Sequence, residues 1–126
     1  HDQAGEGEEN EETMHEIRSK AFKMVRNEGK SEWKDLGVGM LRLKKHKETD
    51  SRRMLLRNSS TGKITVNFLL YHGMNVTVAK NVVSFIGHTE GTSTPYRIKT
   101  KTEEQAKDLK SALDHEIEFV HGKSEP

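Results

Sequence analysis

Two hydrophobic periods run along this 126-residue chain and divide it into a long first part and a short last one. From Val38 the period is two. Leu41, Leu43 and Lys45 fall on one side of an extended chain, and Arg42, Lys44 and His46 on the other. After the polar turn KETDS, Met54 and Leu56 share one face while Arg53, Leu55 and Arg57 share the opposite one. NSSTG supplies turn chemistry, and Ile64, Val66 and Phe68 then alternate with Thr65 and Asn67. Three strands joined by short polar turns predict an antiparallel meander. Further strands are expected from Val76 and Val78, over residues 81–87, and around Tyr96 and Ile98. Upstream, residues 14–26 (MHEIRSKAFKMVR) fit an extended segment entering a strand.

The last part changes period. Thr102 followed three residues later by Gln105 is a capping-box pattern, with Glu103 and Glu104 well placed against the helix dipole. Ala106, Leu109, Leu113, Ile117 and Val120 then recur at helical steps, and Gly122 is the expected stop. The fold class expected is therefore α+β: a bent antiparallel β-sheet or partial barrel of six to seven strands, capped by one C-terminal amphipathic helix. A pleckstrin-homology-like architecture fits this order, and so does a generic α+β fold.

Charge adds more to this picture than bulk composition does. Hydrophobic residues make up 31% of the chain and charged ones 33%, so the core is small and the surface polar. The net charge is only +1, but residues 1–12 carry six acids and no Lys or Arg, whereas residues 42–57 carry seven bases and two acids. Such a bipolar surface calls for a partner with opposite patches, and the acidic stretch would repel free nucleic acid. The absence of cysteine excludes disulfides, thiolate metal sites and cysteine nucleophiles. No apolar run approaches the roughly 20 residues of a membrane span, and no signal-peptide pattern is present. The chain is expected to be intracellular and, beginning at His1, part of something longer. Its expected division is an acidic, flexible arm (1–13), a folded domain (14–121) and a tail (122–126).

Several motifs invite chemistry. Gly37 and Gly39 would suit a phosphate loop only if a helix followed; here a strand pattern follows, so a bend or bulge is the better reading. Trp33 is expected as a core or core-edge anchor, with ligand contact as the alternative. The histidines are dispersed, without metal-ligand spacing or a partnering carboxylate, and no nucleophile–base group stands out, so neither a catalytic nor a metal site is expected. The basic run is the strongest binding candidate. Arg42 and Lys44 on one strand and Arg53 and Arg57 on its neighbour would form a continuous patch for an acidic peptide, a phosphoinositide headgroup or RNA. RNA is the weakest of these, because the seven aromatics fall mostly at core positions.

The run EWKDLGVGMLRLKKHK (residues 32–47), followed by RRMLLRNSSTGKITVN (52–67), resembles the Ran-binding domain family, especially its fungal nuclear-pore (nucleoporin) members. The resemblance extends from about Glu16 to Phe119. It implies a pleckstrin-homology-like, non-catalytic module that binds the small GTPase Ran in its GTP state at the nuclear pore complex in the nucleus. The GTP is held by the partner, so the domain needs no cofactor of its own. In the family, Ran's acidic tail lies on a basic surface of the domain while the domain's acidic arm reaches a basic patch on Ran. Carried over, Lys44, Lys45, Lys47, Arg53 and Arg57 are the candidates for the tail. Glu8, Glu9, Glu11 and Glu12 are candidates for the arm, and Trp33 and Lys34 belong to the motif. Release of karyopherin-class transport receptors and support of GTP hydrolysis by the activating protein are implied further, with no direct nucleic acid and no membrane insertion. Many members carry Trp-x-Trp where Val83-Ser84-Phe85 stands, which implies weaker binding if that strand makes contact. The alternative is a phosphoinositide- or peptide-binding adaptor on the same fold.

Overall fold

Alternation over the first hundred residues becomes seven strands: β1 (Glu11–Asn27), β2 (Lys30–His46), β3 (Arg52–Asn58), β4 (Ile64–Leu69), β5 (Thr77–Ala79), β6 (Val82–Thr89) and β7 (Thr92–Lys99). One helix, α1 (Glu103–Ile117), follows. The structure is a computed structural model describing residues 10–49, 51–89 and 91–120. The strands form one antiparallel sheet in the order β4-β3-β2-β1-β7-β6-β5. Both β1 and β2 are longer than their hydrophobic pattern announced. They meet at a two-residue turn, Glu28-Gly29, whose φ values of 53° and 82° are those of a type I′ hairpin. Trp33 therefore lies within β2 rather than ahead of it.

The sheet bends where β1 is shared. β1 pairs with β2 almost throughout but with β7 only over Lys20 to Lys23, and its register against β2 slips between Ala21 and Phe22. Gly37, opposite Ala21, takes φ +90° at that slip. At Gly39 a Cβ would lie 2.0 Å from the Arg57 carbonyl oxygen, so only glycine lets β3 approach this closely. The Gly-x-Gly thus marks a bulge within β2 rather than the entry to a strand. Curvature brings opposite parts of the sheet together: the Phe68 ring of β4 sits 5.8 Å from Phe85 of β6 and 5.3 Å from Tyr96 of β7. Leu41, Leu43, Met54, Leu56, Val66, Val83 and Ile98 fill the interior. Val83 and Phe85 belong to this core, so they are packing residues and not an outward contact.

The helix covers the open end with Ala106, Leu109 and Leu113, each fully buried. The Thr102 hydroxyl accepts from the Gln105 N–H at 3.1 Å, as a capping box requires, while the Gln105 side chain accepts from the N–H of Lys101, one residue before the cap. The helix ends at Ile117, short of the expected Gly122, which lies outside the described residues. Val120 still packs on the core, its N–H donating to the Ile117 carbonyl in a closing turn.

A buried ion pair fastens this helix to the sheet. Arg52 Nε donates to Glu116 Oε1 at 2.7 Å with both side chains nearly excluded from solvent (4% and 5% exposed), and the Phe119 ring lies 4.7 Å from the guanidinium. Removing one partner leaves a buried charge, whereas an apolar pair does not. Glu116→Ala should therefore lower unfolding free energy by about 3–5 kcal/mol. Arg52→Met combined with Glu116→Leu should recover most of that loss, as read from urea unfolding midpoints.

Candidate binding surface

The basic run of the sequence is gathered on the outer face of β2 and β3. Lys44 pairs with Arg53, Arg42 with Leu55 and Met40 with Arg57, so these side chains share one side of the sheet. Their neighbour on the far side of β2 is the acidic end of β1. Arg53 Nη2 lies 2.9 Å from Glu11 Oε1, and Arg42 Nε lies 3.0 Å from Glu16 Oε1. Lys44 is buried, with Nζ donating to the Thr13 hydroxyl at 3.2 Å. Arg53 also donates to Asn67, and Arg57 donates to the Gly62 carbonyl. The face is a mixed-charge surface whose cations are already engaged.

This corrects part of the expected arm. Glu11 and Glu12 are strand residues, paired in register with His46 and Lys45, so the folded domain begins before residue 14. Glu8 and Glu9 lie outside the described residues. Two basic candidates also separate from the patch. Lys45 pairs with Arg52 on the other side of the sheet, half-buried, and its Nζ donates to the His46 carbonyl. Lys47 is exposed in the β2–β3 turn, where its N–H donates to the Asn10 carbonyl. Lys34 is exposed on β2. The pairing of β1 acids with β2 and β3 bases was not foreseen. Glu11 and Thr13 stand a two-residue step apart, but Glu16 reaches the same side only through the register slip between Thr13 and His15, which the sequence pattern does not announce.

A second outer feature surrounds Trp33. This ring is half-buried and outside the core cluster; the Arg97 guanidinium of β7 stacks on it at 4.2 Å. Two cavities flank the stack. One of about 320 Å³ is lined by Trp33, Thr77, Ser84, Ile86, Pro95 and Arg97, and one of about 200 Å³ by Phe22, Trp33, Val82, Arg97 and Lys99. Trp33 is therefore a surface anchor rather than a core one.

These features define a pleckstrin-homology-like domain: a bent antiparallel sheet closed by a C-terminal helix, with its polar chemistry on the outside. The same fold occurs in the Ran binding domain of Nup2 from Ashbya gossypii, with a TM-score of 0.73 and 20% identity over 89% of this chain and 99% of that one. It occurs also in the EVH1 domain of Dm DCP1, solved with the XRN1 DBM peptide, with a TM-score of 0.65 and 10% identity over 85% of this chain and 77% of that one. The model of the RanBP1 domain matches residues 3–118, and the chain belongs to that family. Nucleoporin NUP152 of Chaetomium thermophilum is 34% identical across 87% of this chain, which spans 9% of that nucleoporin's length.

At the β1–β2 bulge, the Lys20 ammonium lies 3.0 Å from Asp35, and the Gly37 N–H donates to the same carboxylate at 2.7 Å. The Lys20 hydrogen bond first, and the Gly37 N–H second, hold the Asp35 carboxyl below its ordinary value. A lowered folded-state midpoint contributes stability above the unfolded carboxylate value, and that contribution is lost as pH falls through the folded midpoint. Lys20→Ala should raise the Asp35 midpoint toward the ordinary range in a carboxyl-carbon NMR titration. An unchanged midpoint would assign the effect to the bulge alone.

Proposed function

We propose that this domain is a non-catalytic binding module for the small GTPase Ran in its GTP-bound state, acting at the nuclear pore in transport between nucleus and cytoplasm. Membership of the RanBP1 domain family over residues 3–118 carries this reading. The nucleoporin relative supports the location. A domain that grips only one arrangement of a GTPase's switch regions and tail shifts the partner's equilibrium toward that arrangement without chemistry of its own. Loosening of transport receptors and access for an activating protein follow as consequences of holding the tail away from the GTPase.

In this reading an acidic tail lies along Arg42, Arg53, Arg57 and the exposed Lys47, with residues 1–9 as the arm. Arg42 and Arg53 already face Glu16 and Glu11, so a partner's carboxylates exchange with internal ones rather than meeting free charge. The net gain per contact is therefore modest, and salt should weaken it. A second reading, a peptide-binding adaptor, draws on the two cavities beside Trp33. Such an adaptor would bind independently of any nucleotide.

Calorimetry against Ran loaded with a non-hydrolysable GTP analogue, and then with GDP, tests the proposal. Binding to the GTP form alone, weakened by salt, is expected; equal binding to both forms would sink it. Lys47→Ala with Arg57→Ala should weaken binding by about tenfold. Glu16→Gln removes an internal competitor for Arg42 and should tighten binding by roughly twofold to fivefold.

A further inference from the structure

A cavity of about 370 Å³ opens between β1, β7 and the start of α1. Four cationic side chains, Arg18, Lys20, Lys99 and Lys101, line it, together with Thr100 and Gln105. Three of these cations sit where local physics disfavours them. Lys20 and Lys99 are direct cross-strand partners, and like charges opposite one another destabilise a sheet. Lys101 immediately precedes the N-cap Thr102, at the positive end of the helix dipole. Glu103 and Glu104 in the first turn offset the dipole but do not line the cavity. Lys20 has Asp35 as a partner, and among the described residues Arg18 reaches the Ser59 hydroxyl, at 3.5 Å. Lys99 and Lys101 have no acidic partner among the described residues. The contrast with the β2–β3 face is direct: there Arg42 and Arg53 have carboxylates from β1, whereas here Asp35 meets Lys20 and the charges of Lys99 and Lys101 are left without a carboxylate among the described residues. Placements that break local rules without a structural return are expected at functional sites.

We propose that this cavity binds a compact, multiply charged phosphate group of the inositol polyphosphate class, either free or as a lipid headgroup. Such an anion would relieve both the Lys20–Lys99 repulsion and the misplaced charge of Lys101. Its density of charge suits ammonium groups converging from two strands and a helix start, and a cavity of this size encloses it better than it would an extended acidic chain. The proposal does not rest on Ran binding; the two surfaces adjoin at Arg18, which lies in register with Met40 and Arg57.

The test is calorimetry of the intact chain with inositol hexakisphosphate at low and physiological salt, with Lys99→Ala/Lys101→Ala as the site variant. Lys63→Ala, in the exposed β3–β4 turn, is the control of equal charge type. The site variant should bind about tenfold more weakly and the control within about twofold of the parent. Because the variant also removes a like-charge pair, it should melt no lower than the parent, which separates lost binding from lost folding. Lys101→Ala alone provides a second, milder variant. Flotation with phosphatidylcholine vesicles, with and without a few per cent of a bisphosphorylated phosphoinositide, assigns the source: co-flotation identifies a lipid headgroup, and binding of the soluble ligand alone identifies a free one. Absence of binding, equal loss in the control, or equally tight Lys99- and Lys101-dependent binding of a poly-glutamate peptide would overturn the proposal.

Discussion

The four-residue pairing of β1 with β7 is the constraint on which the rest of this domain depends. β1 joins the β4-β3-β2 half of the sheet to the β7-β6-β5 half, and it does so only from Lys20 to Lys23. With so short a seam, the two halves can turn sharply against each other. The inward residue at the seam must be small, and Ala21 is fully buried between Gly37 on one neighbour and Ile98 on the other. The resulting bend lets Phe68 reach Phe85 and Tyr96 across the interior and leaves one open end for α1 to cover. Arg52 and Glu116 then fix the helix at the price of two desolvated charges, a gain in geometry more than in stability.

The same strand organises the charge. Its first half carries Glu11 and Glu16 beside the cations of β2 and β3, and its middle carries Arg18 and Lys20 beside the end of β7. A chain with net charge +1 thus has one region where opposite charges are paired and another where like charges are crowded. The first is suited to exchanging partners with a protein whose charges are also mixed, at little net cost. The second gathers four cations around one cavity, with Asp35 facing only Lys20. Both lie outside the barrel wall, whose inner side is occupied by core residues, so binding at either site needs no change in packing.

Much of the fold was legible beforehand because it depends on local periods. Leu41 and Leu43, Met54 and Leu56, and Val66 and Phe68 all turn inward as their alternation requires, and Ala106, Leu109 and Leu113 form the buried stripe of the helix. The surface was less legible. The alternation that placed Arg42, Arg53 and Arg57 on one face carries no record of which strand lies alongside, so the pairing with Glu11 and Glu16 could not be read from it. Trp33 shows the same limit: its size predicts a core or core-edge anchor, and it stands half-buried at the edge, covered by Arg97 from a strand far along the chain, which no local pattern could indicate.

The sequence by itself determined the strand meander, the capped helix, the bulge at Gly37 and Gly39, and the family to which the RRMLLR and EWKDLG runs point. These follow from side-chain period, turn chemistry and the steric freedom of glycine, all of which act within a few residues. Only the tertiary structure decided which charges are neighbours. It set Arg52 against Glu116, Arg53 against Glu11 and Lys20 against Lys99, because electrostatic energy depends on distance in space and the sheet order brings together residues far apart in the chain.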